Sequence, residues 1–426
     1  MIPHPLQPLP LLPLLPGGPG RGPRGRRRWP GIAACATAAC LLALPAAQAQ
    51  TWRDALESAW QRQPMARAQA FRSAEWAARA QAAQAWLPAP PSIGLSGRSD
   101  RLNRRAGAQD IEAALNLPLW LPGQRGREVV LVGAEGALLR EAADSARWKL
   151  AGELREAVWQ ARLADAERAA AGRRLDDAVA LAADVARRLQ AGDLARTDFN
   201  QAKAAEHAAR QAVDEAELRH TRARLAFAAL TGLQQWPVDE ENEPSQAPPA
   251  DHHPALRQLA SEAQAAQARL GLASDIERDN PELTLAYRQE RASSAEPPAG
   301  SVTLAIRIPL ASAGRNQARI AAANAQLIEA RTAHERLHDQ LQAERLASQA
   351  ELQQAQRALA GALARQRLAV DTDGLLAKAF SLGEIDLATR LRTAAERHAA
   401  DADVARSRIE AGRAVSRLNQ ALGALP

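Results

Sequence analysis

The chain spells one plan twice. Each half opens with a helix-forming run, passes through two alternating strands and enters a helical run of roughly 65 to 70 residues; a glycine turn and a last helix of about 40 close it. The halves occupy residues 50–232 and 254–426. Between them, residues 233–253 (WPVDEENEPSQAPPADHH and flanks) carry the prolines and acids of a linker. Helices this long, in a chain with 3% aromatics whose apolar residues are mostly alanine, do not build a compact globular core. They pack along their length through small side chains.

The strands are two-faced. In the hairpin region at about 91–119, Ile93 and Leu95 share one face, as do Ile111, Ala113, Leu115, Leu117 and Leu119, while Glu112 and Asn116 face away. In the second, at about 282–310, Leu283, Leu285 and Tyr287 oppose Glu282, Thr284 and Arg288, and Val302, Leu304, Ile306, Ile308 and Leu310 oppose Ser301, Thr303 and Arg307. Such alternation fits an antiparallel sheet resting on a protein core, or a membrane barrel with lipid outside and water inside. Trp86 and Trp120 bracket the first hairpin as an interfacial belt would, which favours the barrel. Four strands cannot close one alone, so copies must associate, because an open edge in lipid leaves backbone groups unpaired.

The helices set a length. Runs from about Gln124 to Gln190 and Ser312 to Ser381 each span on the order of 100 Å, and the two shorter helices of each half, placed end to end, match that. Thr51 to Asp54 reads as a capping box opening a helix that runs to about Trp86, where Pro88, Pro90 and Pro91 stop it. Leu150, Leu154, Val158 and Ala161, and Leu352, Ala355, Leu359 and Ala362, recur at coiled-coil spacing and form seams.

Residues 1–49 read as a secretory signal: five arginines and no acid, then an apolar run ending in Ala47-Gln48-Ala49. Both cysteines, Cys35 and Cys40, fall inside it; Thr37, where a lipobox carries Leu, argues against acylation of Cys40. Past Ala49 the chain has 54 − 5 = 49 Lys+Arg against 48 Asp+Glu, which removes the charge basis for nucleic-acid binding.

Together the duplicated plan, PLWLPGQRGR (Pro118 to Arg127) with its echo IPLASAGRNQAR (Ile308 to Arg319), and the turns AGDLARTDF (Ala191 to Phe199) and LGEIDLATR (Leu382 to Arg390) resemble the TolC-like outer-membrane efflux channels. The resemblance implies a mainly α, internally duplicated fold: long antiparallel helices forming a tunnel, with four strands given to a trimeric twelve-stranded transmembrane β-barrel. It also implies a homotrimer in the outer membrane of a Gram-negative bacterium. There it docks a periplasmic adaptor and an inner-membrane transporter of the RND type, and passively exports drugs or metal ions, as in the heavy-metal branch. No catalytic residue and no cofactor is expected.

On that picture Gly192, Asp193, Asp198, Gly383, Glu384 and Asp386 form the periplasmic tip, where an adaptor docks and acids make rings; as plain helix ends they need no such role. Glu112, Glu282, Arg288 and Arg307 would face the lumen, or simply a solvated face. His252 and His253, adjacent on the linker, could capture a metal ion but are expected simply to be solvated. One motif points elsewhere. His334-Glu335-Arg336-Leu337-His338 matches the zinc-protease pattern, yet Arg336 opposes a bound cation, and only His398 remains downstream as a third imidazole. A periplasmic adaptor with one helical hairpin is the other alternative, and the duplication argues against it.

Overall fold

The computed structural model describes residues 51–102, 106–243, 248–310 and 313–426. The expected signal segment, with Cys35 and Cys40, lies outside these residues, as does Ser312. The described elements follow the same order twice: α1 (Trp52–Arg62), α2 (Pro64–Ala83), β1 (Ser92–Ser99), β2 (Gln109–Pro118), α3 (Gln124–Ala191) and α4 (Arg196–Thr231); then α5 (Pro254–Asp275), β3 (Glu282–Arg291), β4 (Ala299–Arg307), α6 (Ala313–Leu382) and α7 (Leu387–Ala421).

Thr51 and Asp54 make the expected capping box, with the Asp54 N–H donating to Thr51 Oγ1 at 3.2 Å. The single helix expected to reach Trp86 is two. It breaks at Gln63, which takes an extended conformation (φ −71°, ψ 139°) because the following Pro64 ring clashes with an α-helical residue before it. Pro64 then opens α2 at N1, where its missing N–H costs nothing.

The strands form one antiparallel sheet in the order β1-β2-β3-β4, so the β2–β3 pairing joins the two halves. Strand β4 ends at Arg307, and Ile308 and Leu310, expected within it, belong to the connection into α6.

Helices α3 and α6, of 68 and 70 residues, each extend about 100 Å. Along α3 lie α1, α2 and α4; α7 and α5 flank α6 and also touch α3. The shorter helices meet end to end. Ser58 Oγ of α1 donates to the Thr231 carbonyl at the end of α4 (2.8 Å), and Gly423, after α7, packs against His253 and Pro254 at the start of α5. The expected seams are real: Leu150, Leu154, Val158, Ala161, Leu352, Ala355 and Ala362 are buried, and Leu359 is half-buried. Close approach depends on small residues. A Cβ at Gly412 of α7 would stand 2.3 Å from the Trp159 ring of α3.

The main core sits at mid-length of α3, where Trp52, Leu56 and Trp60 of α1 meet Leu150, Leu154 and Val158, together with Phe227 of α4. The stretch read as a plain linker is tied down here. Its Pro237 and Asp239 carbonyls accept from Arg162 at 2.7 Å, Asp239 O also accepts from Trp52 Nε1 at 2.8 Å, and Glu241 makes a buried ion pair with Arg155 at 2.7 Å. Residues 236–243 are therefore a strap across α3 and α7, with Asn419 Nδ2 donating to the Asn242 carbonyl at 3.1 Å. Among the described residues no helix is long and apolar enough to cross a membrane.

Candidate functional site

The sheet sorts its side chains by face. Directly opposed residues run in rows across all four strands: Leu95, Ala113, Tyr287, Val302 in one; Ile93, Leu115, Leu285, Leu304 in the next. Leu117, Leu283 and Ile306 continue the same face. Every row is apolar and largely exposed: Leu95 is 80% exposed, Val302 and Leu304 71%, Ile306 58%, with Leu115, Leu117 and Leu283 half-buried on the central strands. In a water-soluble sheet this would be the buried side. Here no described part of the chain covers it.

The opposite face carries the polar residues. Glu112 stands in register with Arg288, and Glu282 with Arg307, so all four sequence-selected residues share this face. A residue missed by the sequence reading completes the pair. Asp110 takes both Nε (2.8 Å) and Nη2 of Arg288, while Glu112 does not bond it. Asp110 has the same strand parity as Glu112, and that parity was the available signal. Strands β1 and β4 each have one neighbour, leaving an open row of backbone groups on both sides of the sheet. At its helical end Trp86 is 93% exposed, and the half-buried Trp120 donates Nε1 to the Ala85 carbonyl at 3.1 Å.

At the far end of the helices the two turns pack on each other. Val185, Ala202, Phe380 and Leu387 form a small core there, with Leu194, Phe199, Ile385 and Leu391 around it. Arg188 crosses between the hairpins, donating Nη1 to the Phe380 carbonyl at 3.1 Å and lying 5.0 Å over its ring. Gly192 and Gly383 close α3 and α6 at φ +93° and +80°, a left-handed geometry that favours glycine. Asp198 accepts from the Ala195 N–H at 3.0 Å, and Asp386 caps α7 by accepting from the Thr389 N–H at 3.1 Å. Hydrogen bonds from the Thr389 side chain and backbone hold the Asp386 carboxyl below the usual range. Asp193 and Glu384 are exposed and follow the glycines, their N–H groups bonding back to Arg188 and Ala379 carbonyls. Gly192→Ala or Gly383→Ala should cost about 1–2 kcal/mol of stability, read from denaturant midpoints, because an L-residue there carries left-handed strain.

No protein-family model and no curated protein matches this sequence. Solved structures do match. The chain superposes on CusC, described for conformational changes accompanying folding and transmembrane channel formation, with a TM-score of 0.72 at 17% identity, covering 88% of this chain and 92% of that one. The outer membrane protein VceC of Vibrio cholerae gives 0.68 at 17% identity (88% and 96% covered). The Campylobacter jejuni CmeC outer membrane channel gives 0.71 at 13% (87% and 85%). The fold is that of the TolC-like outer-membrane channels.

Within this fold a charged network ties the two helical hairpins together near their turns. Asp373, nearly buried, receives Arg390 and Arg397 (Nε at 3.3 Å); Arg397 also reaches Asp177, beside which His398 Nε2 lies at 3.3 Å. Burial first, and then the Arg397 charge, lowers the His398 pKa. Folded His398 therefore stays neutral where an unfolded histidine, near pH 6.5, takes up a proton. That contribution is full above about pH 6.5 and is lost as pH falls toward the depressed folded value. The unfolding midpoint should drop as pH falls below about 6.5, and His398→Gln should flatten the drop.

The two histidine features fall elsewhere. His334 and His338 lie along α6; His338 Nδ1 faces Asp339 at 3.5 Å and Nε2 faces Gln342 at 3.3 Å. Among the described residues no group of three or more His, Cys, Asp or Glu is placed to hold a metal ion. His252 is exposed as expected, but His253 is not solvated. It is 4% exposed, caps α5 by accepting from the Ala255 N–H at 3.2 Å, and stands edge-on to Trp148 at 4.6 Å. A polar-looking linker hides this because Trp148 lies more than a hundred residues away in sequence.

Proposed function

We propose that this chain is the outer-membrane exit duct of a tripartite efflux system, a passive conduit rather than an enzyme, with the inner-membrane pump supplying the energy. The observation that carries the reading is the sheet: a continuous apolar face exposed on one side, charged groups on the other, and both edges open. Lipid matches the first, a water-filled lumen the second, and β1 and β4 of neighbouring copies the third. Three copies give a twelve-stranded barrel above a tunnel of their helices. Residues 1–49 would then be the signal that directs the chain through the inner membrane, and the two halves 50–232 and 254–426 the repeats that build each third of the tunnel.

The tip turns supply the docking surface for a periplasmic adaptor, with Gly192 and Gly383 shaping it and Asp193, Asp198, Glu384 and Asp386 presenting acids. Asp198 and Asp386 also accept N–H bonds at helix starts, so their substitution by Ala should lower the stability of the tip as well as docking, whereas Asp193 and Glu384 are free to act on the partner alone. The lumen face, through Glu112, Glu282, Arg288 and Arg307, biases which ions pass. The cargo, drug or metal ion, is selected by an RND-type pump. The test is extraction of the protein from outer membranes, mass measurement and planar-bilayer recording. A trimer with ion conductance supports the reading; a water-soluble monomer ends it.

A further inference from the structure

Beside the mid-length core, α5, α6 and α7 border a small cleft of ≈ 30 Å³, measured as space for the centre of a water-sized sphere, at the N-terminus of α5. His253, Leu256, Leu341, Gln342, Arg345 and Leu422 line it, and among the described residues no carboxylate does. Two buried donors there, His253 Nε2 and Arg345 Nε, have no partner among the described residues. Leaving a donor buried and open costs about 1–3 kcal/mol, so both are poised for an acceptor.

Backbone geometry decides what kind of ligand this is. Because the Ala255 N–H donates to Nδ1 at 3.2 Å, that nitrogen's lone pair is used, and the neutral ring must carry its proton on Nε2. Burial keeps the ring neutral, opposed in part by the nearby Gln420 carbonyl. That carbonyl is bound by Trp148 Nε1 at 2.9 Å and does not meet Nε2 in hydrogen-bond geometry. A metal ion would need a lone pair where His253 offers a proton. His338, the other imidazole at the cleft, has both ring nitrogens facing Asp339 and Gln342. An Arg, an N–H donor and the positive end of a 22-residue helix, all bordering one cleft, favour negative charge instead.

We propose that this cleft binds a small oxyanion, a carboxylate or phosphate group, held by the His253 Nε2–H and the Arg345 guanidinium. Leu256, Leu341 and Leu422 form the apolar part of the wall, and the small volume restricts the ligand to a compact anion. The inference rests on the cleft's own residues and does not depend on the conduit reading.

The full-length protein in detergent should be titrated with acetate, succinate and inorganic phosphate against chloride at matched ionic strength, following tryptophan fluorescence, since Trp148 touches His253. A saturable change with the oxyanions and none with chloride is expected, and the carboxylate and phosphate arms identify the preferred group. His253→Asn keeps a side-chain acceptor at the helix cap and removes the Nε2–H; Arg345→Gln removes the charge. Each should weaken binding about tenfold or more, with the ligand-free melting curve of Arg345→Gln unchanged. The proposal is overturned by no saturable response to any oxyanion, by a response both variants retain, or by zinc saturating the site in their place.

Discussion

Leu304→Arg should strip the protein from the outer membrane, whereas Thr303→Lys, one residue away, should leave it there. Leu304 lies on the apolar face of the edge strand β4 beside Leu285, and Thr303 points to the other side with Ala286. A guanidinium near the middle of the lipid costs roughly 2–4 kcal/mol, and in the proposed trimer every copy would incur it, while lumen-facing changes would alter passage more than insertion. Fractionation and the yield of heat-resistant trimer measure this directly. Equal behaviour of the two variants would mean that the apolar face does not meet lipid, and the channel reading would fall with it.

Breaking the Arg155–Glu241 pair should be the most damaging single change in the helical body. The side chains are 4% and 7% exposed, and Arg155 also donates to the Ala424 carbonyl at 3.1 Å, so the pair ties the strap to α3 and to the chain end after α7. Removing one partner leaves a buried charge alone, at a cost of about 3–5 kcal/mol. Arg155→Ala and Glu241→Ala should each lower the denaturant midpoint accordingly. The double variant Arg155→Met, Glu241→Leu should recover much of the loss, since a well-packed apolar pair avoids the desolvation cost. If the single variants unfold like the parent, the strap is not held by this pair.

Much of the architecture was legible because it is written in short-range periodicity. Ile93, Leu95, Leu115 and Leu304 share a face by strand parity alone, and Leu150, Leu154 and Val158 share one by helical repeat. The glycine turns at 192 and 383 were visible for the same local reason. The break at Gln63 was also encoded locally, in Pro64, but lay inside an otherwise continuous helical pattern. Parity placed Glu112, Glu282, Arg288 and Arg307 on one face, yet it could not tell that Asp110 and not Glu112 bonds Arg288, which depends on how two strands 178 residues apart are registered.

The sequence by itself determined the element order, the two-faced strands, the seams and the duplication, since each follows from side chains within a few positions of one another. Only the tertiary structure decided that the acidic linker is a strap, that His253 is buried with an open donor, and that Arg155 meets Glu241. Those outcomes depend on groups far apart in the chain being desolvated together, and no local pattern of hydrophobicity or charge records which distant partner will exclude the water.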